Sequence, residues 1–287
     1  MRRVISRALA PRAASRSHSS AAKPVFFDMV HSNNAARVRL WLRLKGMTSA
    51  IDTRVVTYAD LQTAEFAAVN PLRKVPALVR ADGATVFESN VILDYLEDKH
   101  RDDGPRFLPP TPEERQLVAL LTRVHDLYIA SPNCTQPNFA HTQGCMYLAP
   151  FETRFCSAAR AMDRPTRAAK LNEIRHQLRW LEDHAVLSPY LAHATLTLAD
   201  MTWFPTLVFM EFMLPRVFGW PDLFADGAPQ LPRVAAWYQR LQREHPEFAE
   251  VREEIWGFWA QKHADGQFVE IVNETKDPAY NWAFEPK

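Results

Sequence analysis

Val75-Pro-Ala-Leu-Val-Arg-Ala-Asp-Gly-Ala-Thr-Val-Phe-Glu-Ser-Asn-Val-Ile92 carries two short apolar runs around one turn signal. Asp82-Gly83 between such runs predicts a β-hairpin, because a tight hairpin turn needs residues that accept positive φ. Strands are therefore expected over 75–79 and 85–87. Ser89 then reads as the cap of a helix with Val91, Ile92, Tyr95 and Leu96 on one face. Upstream, 24–27 and 52–57 read as strands and 61–68 as a short helix. Residues 36–45 read as a helix stopped by Gly46, with Arg37, Arg39, Arg43 and Lys45 as its polar face. The order is βαβαββα, an α/β unit over 24–104.

Residues 101–110 read as a proline-bearing linker, and the chain beyond them is helical. Thr111-Pro-Glu-Glu114 is a capping box with proline at the first helical position. Leu117, Val118, Leu120, Leu121, Val124 and Leu127 follow as a broad apolar face. Pro165 opens another helix, with Leu171, Ile174, Leu178 and Leu181 at helical spacing. Thr197-x-x-Asp200 is a second capping box, before a helix apolar nearly all round that belongs in the centre of a bundle. Val234, Trp237, Tyr238 and Leu241 mark one more. An all-helical unit is thus expected over 105–264 and an extended tail over 265–287. Phe268, Tyr280, Trp282 and Phe284 of that tail suit covering a pocket or a dimer edge.

The 287 residues are 47% hydrophobic and 23% charged, ordinary for a globular chain. Only 8 glycines occur, none closer than Gly219 and Gly227. That spacing excludes a G-x-G-x-x-G dinucleotide fingerprint and a G-x-x-x-x-G-K phosphate loop. A net charge of +1 gives no field favouring nucleic acid. The longest apolar stretch, 201–214, is too short and interrupted to span a bilayer. Cys134, Cys145 and Cys156 form no C-x-x-C pair, which suits a reducing compartment and argues against zinc even with His141. Residues 1–23 are rich in arginine, serine and alanine, and the first acid is Asp28. Such a leader reads as a transit peptide, mitochondrial before plastid. It also hides an acidic body.

Three motifs carry the chemistry: His31-Ser-Asn-Asn-Ala-Ala-Arg-Val-Arg39, Asn70-Pro-Leu-Arg-Lys-Val-Pro-Ala-Leu78 and Phe87-Glu-Ser-Asn-Val-Ile92. Together they resemble the glutathione transferase superfamily, in particular its serine-type zeta and tau classes. Ser32 stands five residues before Arg37-Val-Arg39, Leu44-Lys-Gly46 continues the likeness, and Tyr190-Leu191 and Thr197-Leu-Ala-Asp200 extend it more weakly. The resemblance implies a thioredoxin-like domain followed by an all-helical domain, glutathione as co-substrate, and a homodimer. It implies that Ser32 activates the glutathione thiol, that Pro76 is cis with Val75 pairing the cysteinyl backbone, and that Glu88 and Ser89 hold the γ-glutamyl end. Gln62 and Lys74 are weaker candidates for the glycyl end. The plainer readings are an N-cap serine, a trans proline starting an edge strand, and a capping role for Ser89. Thr197 and Asp200 read as structural, and His31 as a surface residue.

Two departures bear on the reaction. Zeta isomerases of maleylacetoacetate carry Ser-Ser-Cys where this chain has Ser32-Asn33-Asn34, and an arginine where it has Phe212. Phe209, Met210, Phe212 and Met213 suit either an apolar wall or core packing. Conjugation of a small hydrophobic electrophile is therefore expected. A glutathione-dependent isomerase or reductive dehalogenase, and a non-catalytic binding module on the same fold, are the alternatives. No cysteine stands near position 32, which argues against thiol–disulfide exchange.

Overall fold

The computed structural model describes residues 22–130 and 164–277. Most of the basic leader, Cys134, Cys145, Cys156, His141 and the end of the tail with Tyr280, Trp282 and Phe284 lie outside the described residues. The first part is a four-stranded sheet in the order β2-β1-β3-β4. β1 (Val25–Asp28) runs parallel to β2 (Asp52–Val55) and antiparallel to β3 (Ala77–Val79). β3 pairs antiparallel with β4 (Thr85–Phe87), in register Ala77 to Phe87. The hairpin closes at Asp82-Gly83, where Gly83 takes φ +85°. Successive side chains of a strand face opposite sides, so Phe26 enters the main core while Phe27 packs with Leu61, Phe66 and Val56 on the other face.

Helix α1 (Asn33–Leu44) is capped by Ser32, whose Oγ accepts from the Ala35 N–H at 3.2 Å. It begins three residues earlier than its apolar spacing suggests. Its supposed polar face is buried: Arg37, Arg39 and Lys45 are 1%, 7% and 5% exposed. Arg39 pairs with Asp28 and Glu254, Arg43 with Glu254, and Lys45 with Glu97. The 61–68 helix is two short ones, α2 (Tyr58–Leu61) and α3 (Ala64–Val69), because Thr57 and Thr63 each cap a separate turn. In α4 (Ser89–Lys99), Ser89 is the first helical residue, and Glu88 stands at the cap with φ +69° and no side-chain capping bond. Val91 is outside the buried face, which is Ile92, Leu93 and Leu96.

The second part is a helical bundle. α5 (Pro112–Val124) has the expected capping box at Thr111 and Glu114 and runs into a π-helical turn, His125–Ile129. Leu120 and Leu127 stay exposed. α6 (Arg164–His184) buries Leu171, Ile174, Leu178 and Leu181 against the core. α7 (Leu198–Phe218) is buried almost throughout. Asp200 starts it by accepting from the Leu191 and Thr197 N–H groups, the Thr197 hydroxyl and Trp237 Nε1, all at 2.8 Å. α8 (Pro232–Glu244) and α9 (Pro246–Ala264) pack on it. The described tail is not extended: α10 (Val269–Glu274) forms there, with Phe268 and Ile271 buried. Phe209, Met210, Phe212 and Met213 are core residues, exposed by 7% at most.

Candidate functional site

A cleft of about 890 Å³ opens where α1, the β3 edge, the start of α4 and α5 meet. Lys74, Val75, Pro76, Glu88 and Ser89 line it from the first part, joined by Asn34 and Arg37 of α1. Arg115, Thr122, Arg123 and Asp126 line it from the helical part. Five of the seven sequence-predicted site residues therefore share one cavity. Ser32 caps the neighbouring helix and is not among the lining residues. Gln62 is exposed and outside the cleft lining; its carbonyl accepts from Arg73 Nη1 at 2.6 Å, and Arg73 is not a lining residue either.

The loop that delivers Val75 is shaped by Asn70. Its buried amide donates to the Lys74 carbonyl at 2.7 Å and accepts from the Leu72 N–H at 3.0 Å. The Val75-Pro76 bond is cis. Val75 precedes the first ladder residue, and its N–H and C=O make no backbone hydrogen bond among the described residues. Such an edge can take an extended peptide in β-fashion. Ser89, Asn90 and Val91 line the cleft at the first turn of α4. With no side chain capping that helix, its leading N–H groups stay open to an anion.

Arg37 is the residue the sequence reading misplaced. Its Nη2 donates to Asn34 Oδ1 at 2.5 Å and to Asp126 Oδ1 at 2.7 Å, while Nε and Nη1 have no partner among the described residues. His125, wholly buried, bridges Asp126 and Thr206 at 2.9 and 2.7 Å. Burial pushes its pKa down, against the opposing bond to Asp126, so the ring is neutral at ordinary pH. A carboxylate only accepts, so Nδ1–H donates to Asp126 and Nε2 accepts the Thr206 hydroxyl. Burial of Asp126 raises its pKa, but the Arg37 charge and the bonds from His125 and Arg37 outweigh that and hold the carboxyl well below its usual range. The long-range partner gave no sequence signal: Asp126 is 89 residues from Arg37.

His31 is half-buried and packed rather than free at the surface. It stacks on Phe258 with ring centres 3.6 Å apart and bonds the Tyr58 hydroxyl at 2.6 Å. Burial, with the charges of Lys262 and Arg39, lowers its pKa to about 4, so it stays neutral. Among the described residues no cluster of metal-ligating side chains occurs, and no helix is long and apolar enough to cross a membrane.

Two family models match the chain: "Glutathione S-transferase, N-terminal domain" over residues 31–99 and "Glutathione S-transferase, C-terminal domain" over 164–240. Maleylacetoacetate isomerase of Mus musculus is 35% identical over 104 residues, covering 36% of this chain and 47% of the relative. The match thus spans about half the length of that curated relative. Glutathione S-transferase 3 of Zea mays is 29% identical over 216 residues, 75% of this chain and 87% of that protein. A glutathione transferase family member from Pseudomonas fluorescens Pf-5, solved with bound glutathione, superposes with a TM-score of 0.60 at 21% identity, covering 80% and 98% of the two chains. That last likeness is one of fold.

Proposed function

The chain belongs to the glutathione transferase superfamily, and we propose that its cleft binds glutathione and presents the thiolate to an electrophile. One observation carries this reading: the free Val75 edge and the open first turn of α4 line one cavity at the mouth of α1. The cysteinyl backbone pairs with Val75. The γ-glutamyl carboxylate sits at Ser89 and the α4 amides, and Glu88 meets the ammonium. Lys74, which lines the same cavity, is the cation for the glycyl carboxylate.

Ser32 is the proposed activator. Its oxygen is occupied by the Ala35 N–H, but its own O–H proton is not committed to the cap. Capping and donation to sulfur are therefore compatible. A free thiol titrates near pKa 8.5, and lowering it by about two units takes about 2.7 kcal/mol. A charge-assisted hydrogen bond and a helix N-terminus are together of that size. Calorimetry with glutathione, followed by turnover of a chromogenic electrophile, tests the reading. Equal turnover by wild type and Ser32→Ala removes Ser32 from the mechanism, and no binding at millimolar glutathione returns the chain to a binding module without this chemistry.

Isomerisation of an anionic cis-enone acid is the second reading. Arg115 and Arg123 in the cleft lining favour it, together with the isomerase name of the Mus musculus relative. The apolar residues once suited to a hydrophobic electrophile are core, so the acceptor is read by polar groups on α5 instead. A homodimer is proposed from Val91 and Leu120, which stay 51% and 42% exposed on α4 and α5. Size-exclusion chromatography checks it.

A further inference from the structure

Asp126 sits in the π-helical turn His125–Ile129 that continues α5, and it lines the cleft. Turns of this kind interrupt helices frequently at functional sites. Asp126 Oδ1 takes both contacts of the side chain, from Arg37 Nη2 at 2.7 Å and from His125 Nδ1 at 2.9 Å. Oδ2 has no partner among the described residues, and it is not one of the unpaired polar atoms shut off from solvent. The side chain is 30% exposed, so Oδ2 is the oxygen left to serve the cleft. An arginine–carboxylate pair is strongest as a two-bond fork, yet Arg37 spends Nη2 alone here and leaves the second oxygen unused. Arg123, three residues earlier in the same lining, makes no ion pair with it among the described residues. The same Arg37 Nη2 also holds Asn34 Oδ1, which sets Asp126 beside the first turn of α1, next to the Ser32 cap.

We infer that Asp126 Oδ2 accepts a hydrogen bond from the electrophile, which makes Asp126 a specificity-determining residue of the electrophile subsite. The electrophiles it selects carry an N–H or O–H donor beside the reacting carbon; a carboxylate there meets a fixed negative oxygen. The group is ionised at ordinary pH, and an ionised carboxylate only accepts. A carboxylate further along the electrophile is free to reach Arg115 or Arg123, which line the same cavity. The inference rests on the glutathione reading above.

Iodoacetamide and iodoacetate test it, because they differ only in an amide against a carboxylate beside the same carbon. With both, the glutathione sulfur forms a C–S bond to that carbon, iodide leaves with the C–I electron pair, and the thiol proton goes to solvent. The readout is the ratio of kcat/KM for the two, from chromatography of the S-alkyl products, divided by the same ratio for glutathione alone in solution. Wild type is expected to favour iodoacetamide about tenfold, the size of one hydrogen bond to a charged group. Asp126→Asn keeps an oxygen for Arg37 and His125 but turns the free acceptor into an N–H donor, and it brings the corrected ratio to about one or below. Affinity for S-methylglutathione, measured alongside on the full chain, stays within about twofold of wild type. A corrected ratio near one in wild type, or the wild-type ratio kept in Asp126→Asn, overturns the role of Asp126 and leaves the glutathione reading standing. Loss of S-methylglutathione binding in Asp126→Asn makes the carboxylate structural and overturns the role too. If wild type neither binds S-methylglutathione nor turns over either iodo compound, the glutathione reading itself falls.

Discussion

Removing the Asp126 carboxylate strands a charge that the fold has hidden. Arg37 is 1% exposed, and two of its three nitrogens lack a partner among the described residues. Its remaining contacts are Asn34 and Asp126. Breaking a buried pair from one side costs about 3–5 kcal/mol, because the survivor stays desolvated and unpaired. The Asp126 side chain is 30% exposed, so water screens part of the field and the lower end applies. Asp126→Ala is expected to lose about 3 kcal/mol, and Asp126→Asn about half of that, since its amide oxygen still accepts from Arg37. Joint replacement, Arg37→Met with Asp126→Leu, removes both charges and restores most of the loss. Urea unfolding measures all three. The pH dependence has a definite sign: a carboxyl depressed in the folded state stabilises above its unfolded value of 3.8 and loses that stabilisation as pH falls below it. The gap between wild type and Asp126→Ala therefore narrows on acidification below about pH 4. An Asp126→Ala cost under about 1 kcal/mol, or a double variant no more stable than the single, would refute the stranded-charge account.

Three other outcomes follow from the same geometry. His31 has its pKa lowered to about 4 while the unfolded chain titrates at 6.5, so the unfolded state takes the proton first. Stability contributed by this site falls as pH drops from about 6.5 towards 4, by up to about 3 kcal/mol, and His31→Gln should flatten that slope in thermal melts across the window. Asp200→Ala orphans four buried donors and should cost at least about 4 kcal/mol, enough to be read as loss of soluble folded chain. Gln62→Ala should leave glutathione affinity unchanged, while Lys74→Ala weakens it several-fold; the reverse order in calorimetry would move the glycyl end of the ligand across the loop.

Local chemistry was legible in the sequence, and long-range chemistry was not. The Asp82-Gly83 hairpin and the boxes at Thr111 and Thr197 depend on residues within three or four positions, so their spacing reports them directly. α9 was missed because its glutamates, arginine and Gly257 break any single apolar stripe. Arg37, Arg39 and Lys45 were assigned to water because periodicity scores arginine and lysine as polar wherever they stand. Their acids, Asp126, Glu254 and Glu97, come from 89, 215 and 52 residues away. Phe209, Met210, Phe212 and Met213 illustrate the converse error: a rich apolar cluster suggests a binding wall, but a helix apolar on every side has no face left for a ligand. Motif register named Lys74, Val75, Pro76, Glu88 and Ser89, which share one cavity, but it gave no place there to Asn34 or Arg37.

The seating of α1 has a bearing on how hybrids of this protein can be made. Although α1 belongs by chain order to the sheet, it rests on α7 and α9, and Glu254 of α9 grips both Arg39 and Arg43. Glu97, in turn, receives Trp41 Nε1 and the Phe107 N–H across the linker. A gene splice placed in residues 101–110 would therefore not separate two self-sufficient modules. Grafting the helical portion of a relative onto this amino-terminal portion would keep both arginines paired across the joint where the donor brings an acid at the place of Glu254. A donor without it would leave Arg39 to Asp28 alone and strip Arg43 of its nearer partner, loosening the seat of the helix that opens the cleft.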